Sequence, residues 1–197
     1  MTARTATVSR QTNETDIQLA LNLDGSGRAK ISTGIGFLDH MLTALAVHGR
    51  LDLELSCTGD TGVDDHHTAE DTAIALGQAV DRALGDRAGI TRFASAYAPL
   101  DESLARCVID LSGRPSPVVE LGLKREMIGQ IACENITHWF QTLAVNSRAA
   151  VHVDVLRGEN DHHRAEAAFK ALALALRAAV AFGDRATGIP STKGTLS

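Results

Sequence analysis

The chain has few cysteines, no apolar run long enough to span a bilayer, and no excess of positive charge. Each absence removes a class of function. Its three cysteines, Cys57, Cys107 and Cys133, are odd in number and lack Cys-x-x-Cys spacing. They read as free thiols in a reducing compartment, not as disulfides or thiolate metal ligands. No apolar stretch approaches the roughly twenty residues a membrane helix needs, and Met1-Thr2-Ala3-Arg4 opens no signal peptide, so the expected location is the cytoplasm. A formal charge of -5 argues against a general nucleic-acid or membrane-surface binder. What remains is ordinary for a globular protein: 197 residues, 44% hydrophobic and 22% charged, enough for one large domain or two small units sharing a core.

What the chain does have is histidine in a repeated pattern. Asp65-His66-His67-Thr68-Ala69-Glu70 returns as Asp161-His162-His163-Arg164-Ala165-Glu166, and a lone histidine, His40 or His138, precedes each copy. The pattern uses six of the eight histidines. On a helix, residues three and four apart share a face, so His66 or His67 can meet Glu70 at one ion. Adjacent residues diverge by about 100° and do not readily chelate the same ion. Each His-His-x-x-Glu therefore reads as serving two metal centres at once. Six imidazoles and two carboxylates suffice for two ions with positions left open for substrate. One His-His pair alone would read as a solvated helix start; repetition of both spacing and context favours ligands. His48, at a helix end, and His152, in an alternating strand, fall outside the pattern and read as structural.

The order of elements repeats too. Residues 4–9 are strand-prone, and 16–23 alternate polar and apolar as a half-buried strand does. Asp24-Gly25-Ser26-Gly27 reads as a turn, with 28–33 returning as a hairpin partner. Helical spacing follows from Phe37 to Leu45, with Gly49 as the stop. Leu51 to Leu55 alternates again, and Asp64 or Asp65 caps a helix carrying His66, His67 and Glu70 to about Leu84-Gly85. In the second half, 92–98, 104–111 and 118–123 read as strands, 131–146 as a helix carrying His138, 150–155 as a strand, and a helix opens at Asp161. The fold class predicted is α+β: an internal duplication of a β-β-β-α-β-α unit, with two four-stranded sheets packed through a shared helix layer. The repeats are 1–88 and 89–182, and a tail, 183–197, has no counterpart in the first half.

Several polar residues stand outside the repeat. Arg92, Arg114, Lys170, Ser191 and Lys193 each read singly as surface groups; gathered near the metals they would make a pocket for a phosphate. Lys170 is one turn past Glu166, on the same helix face. Glu14, in a polar turn, reads on spacing alone as a solvated loop residue.

Taken together, Gly34-Ile35-Gly36-Phe37-Leu38-Asp39-His40-Met41-Leu42, the two His-His-x-x-Glu motifs, Leu111-Ser112-Gly113-Arg114-Pro115 and Pro190-Ser191-Thr192-Lys193-Gly194 resemble imidazoleglycerol-phosphate dehydratases over essentially the whole chain. The resemblance implies two manganese ions per active site, held by His40, His66, His67, Glu70, His138, His162, His163 and Glu166. It also implies active sites between subunits of a 24-mer built from trimers, and a phosphorylated imidazole as substrate. Arg92, Arg114, Lys170, Ser191 and Lys193 would hold the phosphate, and Glu14 would lie at the substrate as acid/base. His67 and His163 would act at the reacting centre as well as ligating metal. Asp101 matches a recurrent acidic position. Ala44 stands where some members carry a glutamine near the phosphate.

The chemistry expected is loss of water from imidazole glycerol phosphate to give imidazole acetol phosphate. Metal on the ring nitrogens favours an imidazolate, which expels the hydroxyl beside the ring to a diazafulvene-like intermediate; a carboxylate such as Glu14 moves the proton. Two other readings compete. A di-metal phosphoester hydrolase would lean more on bridging carboxylates than this set of six imidazoles and two carboxylates does. A metal-storage assembly would not call for Arg114 or for the Ser191 to Lys193 tail.

Overall fold

A computed structural model describes residues 4–183 and 188–196. Residues 1–3, 184–187 and 197 lie outside the described residues; on them fall the expected absence of a signal peptide and part of the tail.

The first half runs β1 (Thr5–Gln11), β2 (Thr15–Asn22), β3 (Ala29–Ser32), α1 (Gly36–Gly49), β4 (Asp52–Gly59) and α2 (His66–Leu84). The second runs β5 (Phe93–Leu100), β6 (Ser103–Asp110), β7 (Ser116–Glu120), a short hairpin of β8 (Met127–Ile128) and β9 (Ile131–Ala132), then α3 (Cys133–Asn146), β10 (Ala150–Arg157) and α4 (Asp161–Val180). The β-β-β-α-β-α unit is therefore present twice. The hairpin takes Ile131 and Ala132 out of the helix expected there. Strand order is β1-β2-β4-β3 in one sheet and β5-β6-β10-β7 in the other.

Alternation decides which strand faces are buried. Ile17, Leu19 and Leu21 on β2 and Leu53 and Leu55 on β4 all lie inside, and burying such a side chain fully contributes about 1.5–3 kcal/mol. The hairpin expected from 24–27 does not form. β2 already pairs antiparallel with β1 on one side and β4 on the other, so β3 passes to the far edge and pairs parallel with β4. A parallel neighbour needs a crossover, and α1 supplies it. Asp52 holds the intervening loop: its carboxylate accepts from the backbone N–H of Ser26 at 2.8 Å and of Arg28 at 3.1 Å and pairs with the Arg28 guanidinium at 2.6 Å. The Arg28 side chain and these two N–H groups keep the Asp52 carboxyl far below the usual carboxylate range.

The helices lie between the sheets. α2 covers the first sheet and packs on α3; α4 covers the second and packs on α1. Helix α1 ends near His48-Gly49 as expected, but the left-handed cap is Arg50 (φ 53°) and not the glycine. Gly49 stays helical, where an added Cβ would sit 3.2 Å from Leu51 and 3.5 Å from the Ala173 carbonyl of α4. On α3 and α4, Trp139, Phe140 and Phe169 are fully buried, with ring centroids 4.6–5.5 Å apart. This cluster fixes how both helices are rotated, and with them the places of His138, beside Trp139, and of Glu166, about one turn before Phe169. Burial pushes the Cys107 thiol up to about 12 and that of Cys57 to about 11, and all three cysteines are free, as the sequence reading expected.

The close approach of α2 to the end of α3 at Gly77 gives a first prediction. A glycine inside a helix costs about 1 kcal/mol relative to alanine, yet an added Cβ at Gly77 would lie 2.6 Å from Asn146 Cβ and 2.9 Å from the Ser147 backbone nitrogen. Gly77→Ala is therefore expected to destabilise by about 1–3 kcal/mol through overpacking. The unfolding midpoint in denaturant checks this; a rise in stability would mean that α2 and α3 are not seated this closely. Among the described residues, no helix is long and apolar enough to cross a membrane.

Candidate metal centres

Both double-histidine motifs sit in a first helical turn, fixed there by short polar side chains. Asp64 Oδ1 accepts from the backbone N–H of His66 at 2.8 Å, and Asn160 Oδ1 accepts from that of His162 at 2.9 Å. So Asp64, not Asp65, does the capping. Asp65 turns inward and accepts from Ala132 N–H (2.8 Å) and Asn135 Nδ2 (3.0 Å), tying the start of α2 to the start of α3. Its repeat partner, the buried Asp161, accepts from the N–H groups of Lys124 and Arg125 at 2.9 and 2.7 Å.

The donors gather in two trios, and each trio is crossed between the halves. His40 of α1 joins His162 and Glu166 of α4; His138 of α3 joins His66 and Glu70 of α2. In the first, Glu166 Oε2 lies 3.1 Å from His40 Nε2 and 3.2 Å from His162 Nε2. In the second, Glu70 lies 3.0 Å from His138 Nε2 and 3.9 Å from His66 Nε2. The crossing follows from packing, since α1 lies on α4 and α2 on α3. Within each trio the donor atoms are all within 4.8 Å of one another. Two imidazole nitrogens and one carboxylate form a partial shell that fits a divalent cation and leaves coordination positions over.

His67 and His163 join neither trio. The His66 and His67 rings are 5.9 Å apart and inclined by 74°, and those of His162 and His163 are 6.1 Å apart and inclined by 84°. His67 Nδ1 lies 3.1 Å from Asp60, and its Nε2 faces Glu14 at 3.6 Å. His163 Nδ1 lies 2.7 Å from Glu102, and its Nε2 faces Asp101 at 3.8 Å. The bond to Asp60 raises the pKa of His67, and the bond to Glu102 raises that of His163. Glu102 is held low chiefly by the Asn160 backbone N–H and then by His163. In both histidines a carboxylate fixes Nδ1 and leaves Nε2, which could coordinate a metal, without a hydrogen bond among the described residues. Asp60, Glu102 and Asn135 escaped the sequence reading because they stand outside the repeated motif.

The groups assigned to phosphate divide in two. Lys170 Nζ bonds Glu166 Oε1 at 2.7 Å, beside the first trio. Burial would raise the pKa of Glu166, but bonds to Lys170 and His40 outweigh it and hold the carboxyl low. Arg92, Ser191 and Lys193 lie elsewhere. Arg92 donates to Asp110 at 2.8 Å and to the Pro190 carbonyl at 2.7 Å, which places it against the tail. The turn at Ser191 bonds the Lys193 backbone N–H at 3.1 Å. The Arg92 backbone N–H bonds the carbonyl of Ala179, thirteen residues after Glu166 on α4, a separation of about 20 Å along the helix. Arg114 is exposed at the start of β7, beside the end of α3, where Gly113 accepts from Arg148. Within one chain Arg92 and Pro190 thus lie at the opposite end of α4 from Glu166.

The match to known proteins covers the fold and these donors. The profile of the imidazoleglycerol-phosphate dehydratase family matches residues 33–176. An imidazoleglycerol-phosphate dehydratase from Phytophthora nicotianae is 59% identical over 98% of this chain, which spans 43% of that longer protein. One from Nitrobacter hamburgensis is 56% identical over 98% of both chains. The crystal structure of imidazoleglycerol-phosphate dehydratase from Staphylococcus aureus superposes with a TM-score of 0.82 at 35% identity, covering 91% of this chain and 99% of its own. The corresponding enzyme of Pyrococcus furiosus, solved in complex with (S)-C348, gives 0.83 at 36% identity over 96% and 100%.

Proposed function

Because the chain belongs to the imidazoleglycerol-phosphate dehydratase family, and so removes water from imidazoleglycerol phosphate in histidine biosynthesis, we propose that it does so with two manganese ions per active site, at sites completed between subunits. The observation that carries this reading is the pair of crossed trios, each three donors strong, with Nε2 of His67 and of His163 left without a hydrogen bond among the described residues. A trio in one copy plus His67 or His163 of another would supply four donors to one ion. The place of Arg92 and Pro190 at the far end of α4 from Glu166 argues likewise. A homo-oligomer, a 24-mer built from trimers, and a cytoplasmic location complete the proposal.

His40, His66, His67, Glu70, His138, His162, His163 and Glu166 would hold the ions. Imidazole donors bind zinc more tightly than manganese in general, so manganese rests on the family likeness. When bound, divalent ions would supply Lewis-acid chemistry to the substrate ring beside the departing hydroxyl. The protein groups do the rest. Arg92, Arg114, Lys170, Ser191 and Lys193 hold the phosphate and so set the depth of the ring. Glu14, on a turn whose N–H bonds Thr12 Oγ1 at 3.1 Å, takes the proton from the carbon bearing the middle hydroxyl, giving an enol that becomes the ketone.

Turnover of imidazoleglycerol phosphate by metal-stripped protein, before and after manganese is returned, tests the proposal. Activity is expected only after return; full turnover by stripped protein would reject the metal-dependent route.

A further inference from the structure

The two trios are built on the same repeat, yet their supporting residues differ at two matched positions. Three residues before His138 stands Asn135; three residues before His40 stands Phe37. Asn135 is 5% exposed, accepts from His66 Nδ1 at 2.9 Å and donates to Asp65 at 3.0 Å. A carboxylate thus orients a carboxamide, which orients the ring and leaves Nε2 as the ligand nitrogen. In the other half Phe37 meets the His162 ring edge-on, at 5.1 Å between centroids. Asp161 Oδ1, where the matching Asp65 serves Asn135, is buried with no hydrogen-bond partner among the described residues. The second difference lies four residues past each glutamate. Lys170 bonds Glu166 at 2.7 Å, whereas the matched position after Glu70 is Ile74. An ammonium on a ligand carboxylate competes with a metal for it.

We infer that the two metal centres are unequal: the Asp65–Asn135 pair makes His66, Glu70 and His138 the tight site, and the trio of His40, His162 and Glu166 is the loosely held, exchangeable one. Asn135 is a positioning residue, acting through His66. The inference rests on the two-ion reading above. Partners that fix the far nitrogen of a ligating histidine typically contribute about 10- to 100-fold in metal affinity, and a gap of that order separates the sites.

Equilibrium dialysis of the assembled protein against manganese, with bound ion read by electron paramagnetic resonance, tests this without turnover. The wild type is expected to fill two classes of site. Glu166→Gln removes the weaker class only. Asn135→Leu weakens the tighter class by about 10- to 100-fold and leaves the other unmoved. Phe37→Asn, which offers a carboxamide to both His162 and the unpartnered Asp161 oxygen, tightens the weaker class and keeps the test alive if Asn135→Leu fails to fold. A purely structural role for Asn135 would weaken both classes together. One class of equal sites, or two classes that Asn135→Leu leaves unchanged, overturns the inference. No manganese uptake at all would instead reject the two-ion reading beneath it.

Discussion

Mixing two inactive variants of this chain is expected to restore activity. Glu166→Gln removes the carboxylate at the centre of one trio, and Arg114→Ala removes an exposed cation at the far end of the second sheet. Alone, each is expected to lose on the order of a hundredfold or more in kcat/KM, the first through its metal centre and the second through misplaced substrate. If a site draws the two residues from different chains, random co-assembly leaves about a quarter of sites with both intact. Refolding the two together should then recover about that fraction of wild-type turnover, while each variant refolded alone stays silent. Light scattering confirms that both assemble. No recovery in well-formed mixed particles would mean that one chain supplies both residues to a site, and the between-subunit arrangement would fail.

How much of this was legible beforehand follows from what each signal depends on. Strands such as β2 and β4 announced themselves because one face of each is buried, so alternation is local information. The edge position of β3 was not, since it depends on β2 having both sides occupied. The candidate donors stood out because a repeat states them twice. Their grouping did not: each lone histidine meets the motif of the opposite half, although in sequence it stands nearer the motif of its own half. Packing of α1 on α4 decides it. Asp60 and Glu102 come from loops before α2 and before β6, positions that do not correspond in the repeat, so no repetition marks them. The neighbourhood of Arg92 and Pro190 exists only through tertiary hydrogen bonds. The difference between Asn135 and Phe37 was in plain view at matched positions, but it gains meaning only once Asn135 is seen on His66.

Glu14→Gln is expected to lower turnover by about 10²- to 10⁴-fold, the range for loss of a positioned acid/base, with manganese content unchanged. The change keeps size and hydrogen-bonding shape while removing the basic oxygen. Its turn is anchored independently of the carboxylate: Thr12 Oγ1 accepts from the N–H groups of Glu14 and Thr15 at 3.1 and 3.0 Å, and Thr15 Oγ1 donates to the buried Asp71 at 2.5 Å. Folding should therefore survive, and a small change in KM beside a large one in kcat would place Glu14 in the chemical step. Asp101 supplies the internal control, because it faces His163 at 3.8 Å much as Glu14 faces His67 at 3.6 Å. Its side chain is 74% exposed against 51% for Glu14, so it is the more hydrated and less constrained of the two. Asp101→Asn should accordingly fall much less. Collapse in Asp101→Asn with turnover preserved in Glu14→Gln would move the proton-transfer role to the second half of the repeat.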